Sequence, residues 1–199
     1  VKRLKEFLGR KKIHHDGRMQ EPQAGVVTGL AWTSAGGEIL FIETSRTKGE
    51  GKVQITGQLG DVMKESVQIA LTLVKSMFPE EAETLNESDI HIHVPAGAVP
   101  KDGPSAGITI VTALTSMLKG KGISPEYAMT GEVSLRGGVM PIGGLPEKLM
   151  AAQRAGIRTV FIPYENREDL EDVADEVKED LTIIPVKRIE EVLQKTNLI

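Results

Sequence analysis

The chain has 199 residues, 40% hydrophobic and 26% charged, with one Trp, two Tyr and four Phe. That composition excludes disordered and fibrous classes and fits one substantial core plus a tail. Cysteine is absent, which excludes disulfides, thiol catalysis and cysteine-ligated zinc and suits a reducing, cytoplasmic location. The net charge is −4, yet residues 1–24 hold seven Lys and Arg against three Asp and Glu, so a basic tail precedes an acidic body.

The first residues, Val1-Lys2-Arg3-Leu4-Lys5, lead into no signal-peptide core, and no apolar run approaches the roughly 20 residues a membrane helix needs. The missing initial Met suggests an excised fragment. Leu4, Phe7 and Leu8 follow a short helical pattern, after which Lys11-Lys12, His14-His15-Asp16-Gly17 and Gln20-Glu21-Pro22 read as a linker. Residues 1–24 are therefore expected to be a tail and 25–199 the folded domain. Nucleic acid would be one partner for such a basic tail, although a solvated helix and linker is the more ordinary use of the charge.

From Gly25 the character changes. Val26 to Trp32 and Glu38 to Thr44 are β-rich runs separated by Ser34-Ala35-Gly36-Gly37, a hairpin pattern. A third strand over 51–56 leads to a helix whose apolar positions Val62, Met63, Val67, Ala70, Leu71 and Val74 recur at helical spacing. Ile90 to Val94 alternates as a strand, and a loop from Pro95 to Pro104 delivers the chain to a very apolar helix over about 105–118. Tyr127–Leu135 and Val139–Ile142 predict a second hairpin around Arg136-Gly137-Gly138. A helix over 146–155, a strand over 159–162, a charged helix over 168–179, a strand over 181–184 and a last helix from Lys187 complete the chain. Hairpins followed by mixed helices and strands predict an α+β fold of mixed sheets with packed helices.

Gly103-Pro104-Ser105-Ala106-Gly107 has the small-neighbour pattern that exposes a nucleophilic serine at a helix start. Taken alone, Asp102-Gly103-Pro104-Ser105 is also good N-cap chemistry. A triad built on Ser105 would have to take its histidine from upstream, because His14, His15, His91 and His93 all precede it. His91 and His93 share one face of a strand, where a polar sheet face is the ordinary explanation and a metal pair the rarer one.

Lys148 supplies what the histidines do not. On a helix starting near Pro146 it falls on the stripe of Leu149, Ala152 and Ala155, opposite Glu147, Gln153 and Arg154. It is thus expected to point inward from the first turn, where the helix dipole also disfavours positive charge, with a lysine that snorkels to solvent at the helix end as the equal alternative on this pattern alone. Both effects lower its pKa and favour a neutral amine able to accept a proton from a serine. Lys119 and Lys121 sit comfortably at a helix end, and Lys101 in a polar loop would stay hydrated.

The segment Pro100-Lys101-Asp102-Gly103-Pro104-Ser105-Ala106-Gly107-Ile108-Thr109 resembles the active-site signature of the Lon family of ATP-dependent proteases. The resemblance continues through Gly29-Leu30-Ala31-Trp32, Gly57 to Ser66, Met129 to Gly137 and Pro141 to Lys148. It implies a Ser-Lys dyad of Ser105 and Lys148, with the Thr130 hydroxyl beside the lysine amine. It further implies oxyanion donors among the backbone amides of Gly103 and Ser105, and a strand leading to Val94-Pro95-Ala96-Gly97 that pairs with extended substrate. Many members carry Glu where this chain has Ala96.

By the same resemblance the expected partners are unfolded proteins or peptides, the ATPase module of the same polypeptide, further copies in a hexameric ring, and DNA as a contact of the full-length protein. The chain has no Gly-x-x-x-x-Gly-Lys-Ser/Thr loop, so ATP and Mg belong to the ATPase module and no cofactor or metal is expected here. Two other functions stand beside this one: an esterase using His91 or His93, and a non-enzymatic nucleic-acid-binding module using the basic tail.

Overall fold

The computed structural model describes residues 17–199. The expected terminal helix around Leu4, Phe7 and Leu8, and His14 and His15, lie outside the described residues. Residues 17–24 form no helix or strand, and the Arg18 amide donates to Ala155 O (3.1 Å).

In chain order the elements are β1 (Val26–Thr33), β2 (Gly36–Lys48), β3 (Val53–Thr56), α1 (Asp61–Met77), the short α2 (Pro79–Glu83), β4 (Ser88–His93), α3 (Gly107–Lys119), β5 (Tyr127–Met129), β6 (Glu132–Val133), β7 (Val139–Met140), α4 (Leu145–Arg154), β8 (Thr159–Pro163), α5 (Asp175–Asp180), β9 (Thr182–Val186) and α6 (Ile189–Lys195). Seven strands make one mixed sheet in the order β3-β4-β2-β1-β5-β8-β9, and β6 pairs with β7 alone. β1 to β2 and β2 to β4 are antiparallel, whereas β3-β4, β1-β5, β5-β8 and β8-β9 run parallel. The α+β expectation holds.

Apolar side chains leave the sheet on both faces, as the two-residue alternation of a strand requires. One core joins Val27, Ile42 and Ile92 to Val67 of α1 and Ile110 and Leu114 of α3. The other joins Leu30, Ala128, Val160 and Ile162 to Leu145 and Leu149 of α4. Every residue of α3 from Gly107 to Ser116 is buried, which accounts for its apolar sequence.

Three expectations need correction. The strand predicted from Tyr127 to Leu135 ends at Met129: Thr130 N still donates to Phe161 O of β8 (3.1 Å), but Gly131 N turns away to Ser105 O (2.8 Å). Only Glu132–Met140 then forms a hairpin. The charged helix expected over 168–179 is a 3-10 segment, Tyr164–Asp172, followed by α5, since Val173 and Ala174 adopt extended backbone and bury Val173 in the second core. The helix expected from Ser105 starts at Gly107, with Ala106 as N-cap and no side-chain cap, so the Ser105 hydroxyl is not spent on capping.

The β1–β2 hairpin leans against the start of α4. A Cβ on Gly37 would lie 2.0 Å from Glu147 O, and Arg154 Nη2 donates to Gly37 O at 3.0 Å. Gly37→Ala is therefore expected to lower the unfolding free energy by about 1–3 kcal/mol. Chemical denaturation reads this as a lower midpoint at unchanged slope; an unmoved midpoint would mean that the contact is not needed.

Candidate active site

A cavity of about 810 Å³ opens between the β1–β2 hairpin, the loop over 95–106 and the segment before α4. Ser105 and Lys148 both line it, approaching from α3 and α4 on opposite faces of the sheet. Ser105 sits in the turn ahead of α3, half-buried. Its carbonyl accepts from Gly131 N (2.8 Å), and Gly131 O in turn accepts from Ile108 N (3.0 Å). These two bonds fix the serine backbone to the strand end that carries Thr130.

Lys148 lies in the first turn of α4 with only 2% of its surface exposed. Its Nζ donates to Thr130 Oγ1 at 3.1 Å, and Thr130 is fully buried. Burial pulls the amine from the ordinary lysine value of 10.5 to about 8, because the charged form loses hydration that one hydroxyl does not replace. Among the described residues no hydrogen bond joins Lys148 to Ser105, and the one side-chain partner of the amine is Thr130.

The backbone around the serine is partly engaged. Gly103 N donates to Asp102 Oδ1 (2.8 Å), and the same oxygen accepts from Met63 N (2.9 Å) at the start of α1. Those backbone bonds hold the Asp102 carboxyl below its usual range. Pro104 has no N–H, and Ser105 N has no partner among the described residues. Of the expected substrate-pairing residues, Pro95 and Ala96 line the cavity, while Val94 and Gly97 do not. Val94 is fully buried, and its amide donates to Thr56 O at 3.1 Å.

The histidines are elsewhere. His91 Nε2 and His93 Nδ1 both meet Thr56 Oγ1 (2.8 and 2.7 Å), and neither ring lines the cavity. The face is polar, as a half-exposed strand leads one to expect. Among the described residues no cluster of three or more His, Asp or Glu is placed to hold a metal. No helix among them is long and apolar enough to cross a membrane.

Sequence reasoning missed the opposite wall. Trp32, 57% exposed, lines the cavity together with Ile39 and Phe41 of β2. Its indole covers Gly144, where a Cβ would meet the ring at 2.5 Å. Gly144 is the N-cap of α4 at φ +70°, so both its backbone angle and its space require glycine. A lone large aromatic beside a tight turn was the available signal. Asn166 was also missed: buried, it binds both N–H and C=O of Ile142 (2.9 Å each) and so steadies the segment leading to α4.

The chain matches the family described as the Lon protease (S16) C-terminal proteolytic domain over residues 1–198. It is 58% identical over 193 residues to a Lon protease of Clostridium beijerinckii, covering 97% of this chain and 24% of that protein. It is 54% identical over 194 residues to one of Methanosarcina barkeri, covering 96% and 24%. Against the Lon protease of Escherichia coli K12 the figures are 53% over 193 residues, covering 96% and 25%. The chain thus spans about a quarter of the length of these relatives. A family match over nearly the whole chain and identities above half show the family: this chain belongs to the Lon C-terminal proteolytic domains.

Proposed function

We propose that Ser105 is the nucleophile and Lys148 the general base of an endopeptidase acting through an acyl-enzyme. The observation that carries this reading is a lysine held at 2% exposure in the same cavity as an uncapped serine. A neutral amine has a lone pair for the hydroxyl proton, and burial provides the neutral fraction near pH 8.

Lys148 Nζ takes the proton as Ser105 Oγ bonds to the scissile carbonyl carbon, leaving an ammonium beside an oxyanion. The free Ser105 amide, and the Gly103 amide once it leaves Asp102, are the donors available to that oxygen. Collapse breaks the C–N bond, and Lys148 returns its proton to the departing amine. Water then attacks the ester with Lys148 again as base, which releases the acid and restores the serine. Thr130 holds the amine in place through the bond at 3.1 Å.

Pro95 and Ala96 form one wall for an extended peptide, and the apolar wall of Trp32, Ile39 and Phe41 suits apolar side chains. The whole protein would act on unfolded and regulatory proteins in the cytoplasm. An ATPase module using ATP and Mg would feed it, and six copies would form a ring, with any DNA contact outside the body of this domain. The length of the relatives supports a larger polypeptide.

Lys148→Met is expected to reduce peptide cleavage by at least about a hundredfold while leaving the circular-dichroism spectrum unchanged. In the parent, kcat/KM should rise with pH through about 8 and then level, as the amine loses its proton. Cleavage retained by the Met variant would sink the assignment. Thr130→Val keeps the shape of the side chain but removes the acceptor, and should lower kcat roughly tenfold, as expected for one buried hydrogen bond.

A further inference from the structure

Lys101 was expected to be a hydrated loop charge, and its surroundings are different. Its Nζ donates to Gly57 O (2.8 Å), Ala96 O (2.7 Å) and Val99 O (2.7 Å). An ammonium has three N–H groups, and all three are used. A neutral amine would have only two and would leave one carbonyl unpaired. Although burial alone pulls the pKa of this lysine down, the three acceptors all favour the cation, so Lys101 is not a second base.

The backbone of the same residue is fixed on its other side. Lys101 N donates to Gln58 O (3.0 Å) and Gly60 N donates to Lys101 O (2.8 Å), a bridge alongside Leu59. Residues 96–100 are exposed, and apart from Val99 N donating to Ala96 O (3.1 Å) the loop has no backbone bond of its own among the described residues. Lys101 is therefore the main tie on that loop. It joins the turn after β3, the Ala96 edge and the segment that reaches Ser105 four residues later.

We propose that Lys101 is a positioning residue for substrate, a three-carbonyl clamp that sets the Ala96 edge at a fixed offset from Ser105 and so sets the register of an extended peptide over the serine. This rests on the reading of Ser105 as nucleophile and of the Ala96 edge as the peptide's partner. Without the clamp the edge must be ordered when peptide binds, and that cost appears as lost affinity. The serine backbone and the Lys148 amine are held by bonds separate from the clamp, through Gly131 and Thr130.

The test separates the two readings. Binding of a short unstructured peptide is measured by calorimetry on Ser105→Ala protein, with and without Lys101→Met. Phosphorylation of Ser105 by diisopropyl fluorophosphate, in which the serine oxygen displaces fluoride from a reagent too small to need the edge, is timed with the serine present. Lys101→Met should weaken peptide binding about tenfold or more while the rate of that phosphorylation moves by less than about threefold. Amide exchange should quicken at residues 96–99 and stay constant in α3. Lys101→Arg, which keeps a cation with several donors, should bind peptide better than the Met variant.

Unchanged binding, a parallel fall in phosphorylation by the reagent, or an Arg variant no better than Met would overturn the clamp. Failure of the parent to be phosphorylated at Ser105 would instead strike the nucleophile assignment, and the binding comparison would still judge Lys101.

Discussion

The departure of the chain from the central sheet after Thr130 is the constraint on which the site depends. Thr130 N still bonds to Phe161 O of β8, whereas the Gly131 amide leaves the ladder. Thr130 Oγ1 meets the Lys148 amine, and Gly131 N takes the Ser105 carbonyl. Two helices on opposite faces of the sheet are thereby registered to each other through one short piece of backbone. A regular strand could not do this, because its amides would be committed to neighbouring strands.

The buried lysine has a thermodynamic signature apart from any chemistry. Its folded pKa is depressed, so between about 8 and 10.5 the unfolded chain holds the proton that the folded chain has released. Stability contributed by this group therefore rises with pH across that window, and below it the cost of a buried ammonium is present in full. One hydroxyl at 3.1 Å is a weak counterweight. A residue that costs stability and sits in a cavity departs from the local rules of the helix that carries it.

Much of the fold was legible in the sequence because period and composition report burial directly. The first hairpin, α1, α3 and α4 fall close to where their apolar spacing puts them. The inward direction of Lys148 follows from the same stripe that buries Leu149 and Ala152. The places where the sequence misled are those decided by distant partners. Nothing local to Tyr127–Leu135 announces that Gly131 will bond to Ser105. Leu170, Val173 and Val177 imitate helical spacing although Val173 reaches the core from extended backbone. Lys101 looks like a solvated charge until Gly57, Ala96 and Val99 converge on it. Proximity of Ser105 to Thr130 and Lys148 came from family resemblance, since chain separations of 25 and 43 residues hold no local signal.

Trp32 is the chain's single tryptophan, and it forms part of the cavity wall, over Gly144 and more than half open to water. All indole fluorescence of this domain therefore originates beside the candidate site, with no background from the cores. Occupation of the cleft would exchange water for ligand around that ring and move its emission towards the blue. The molecule thus carries a built-in optical gauge of whether its own groove is filled.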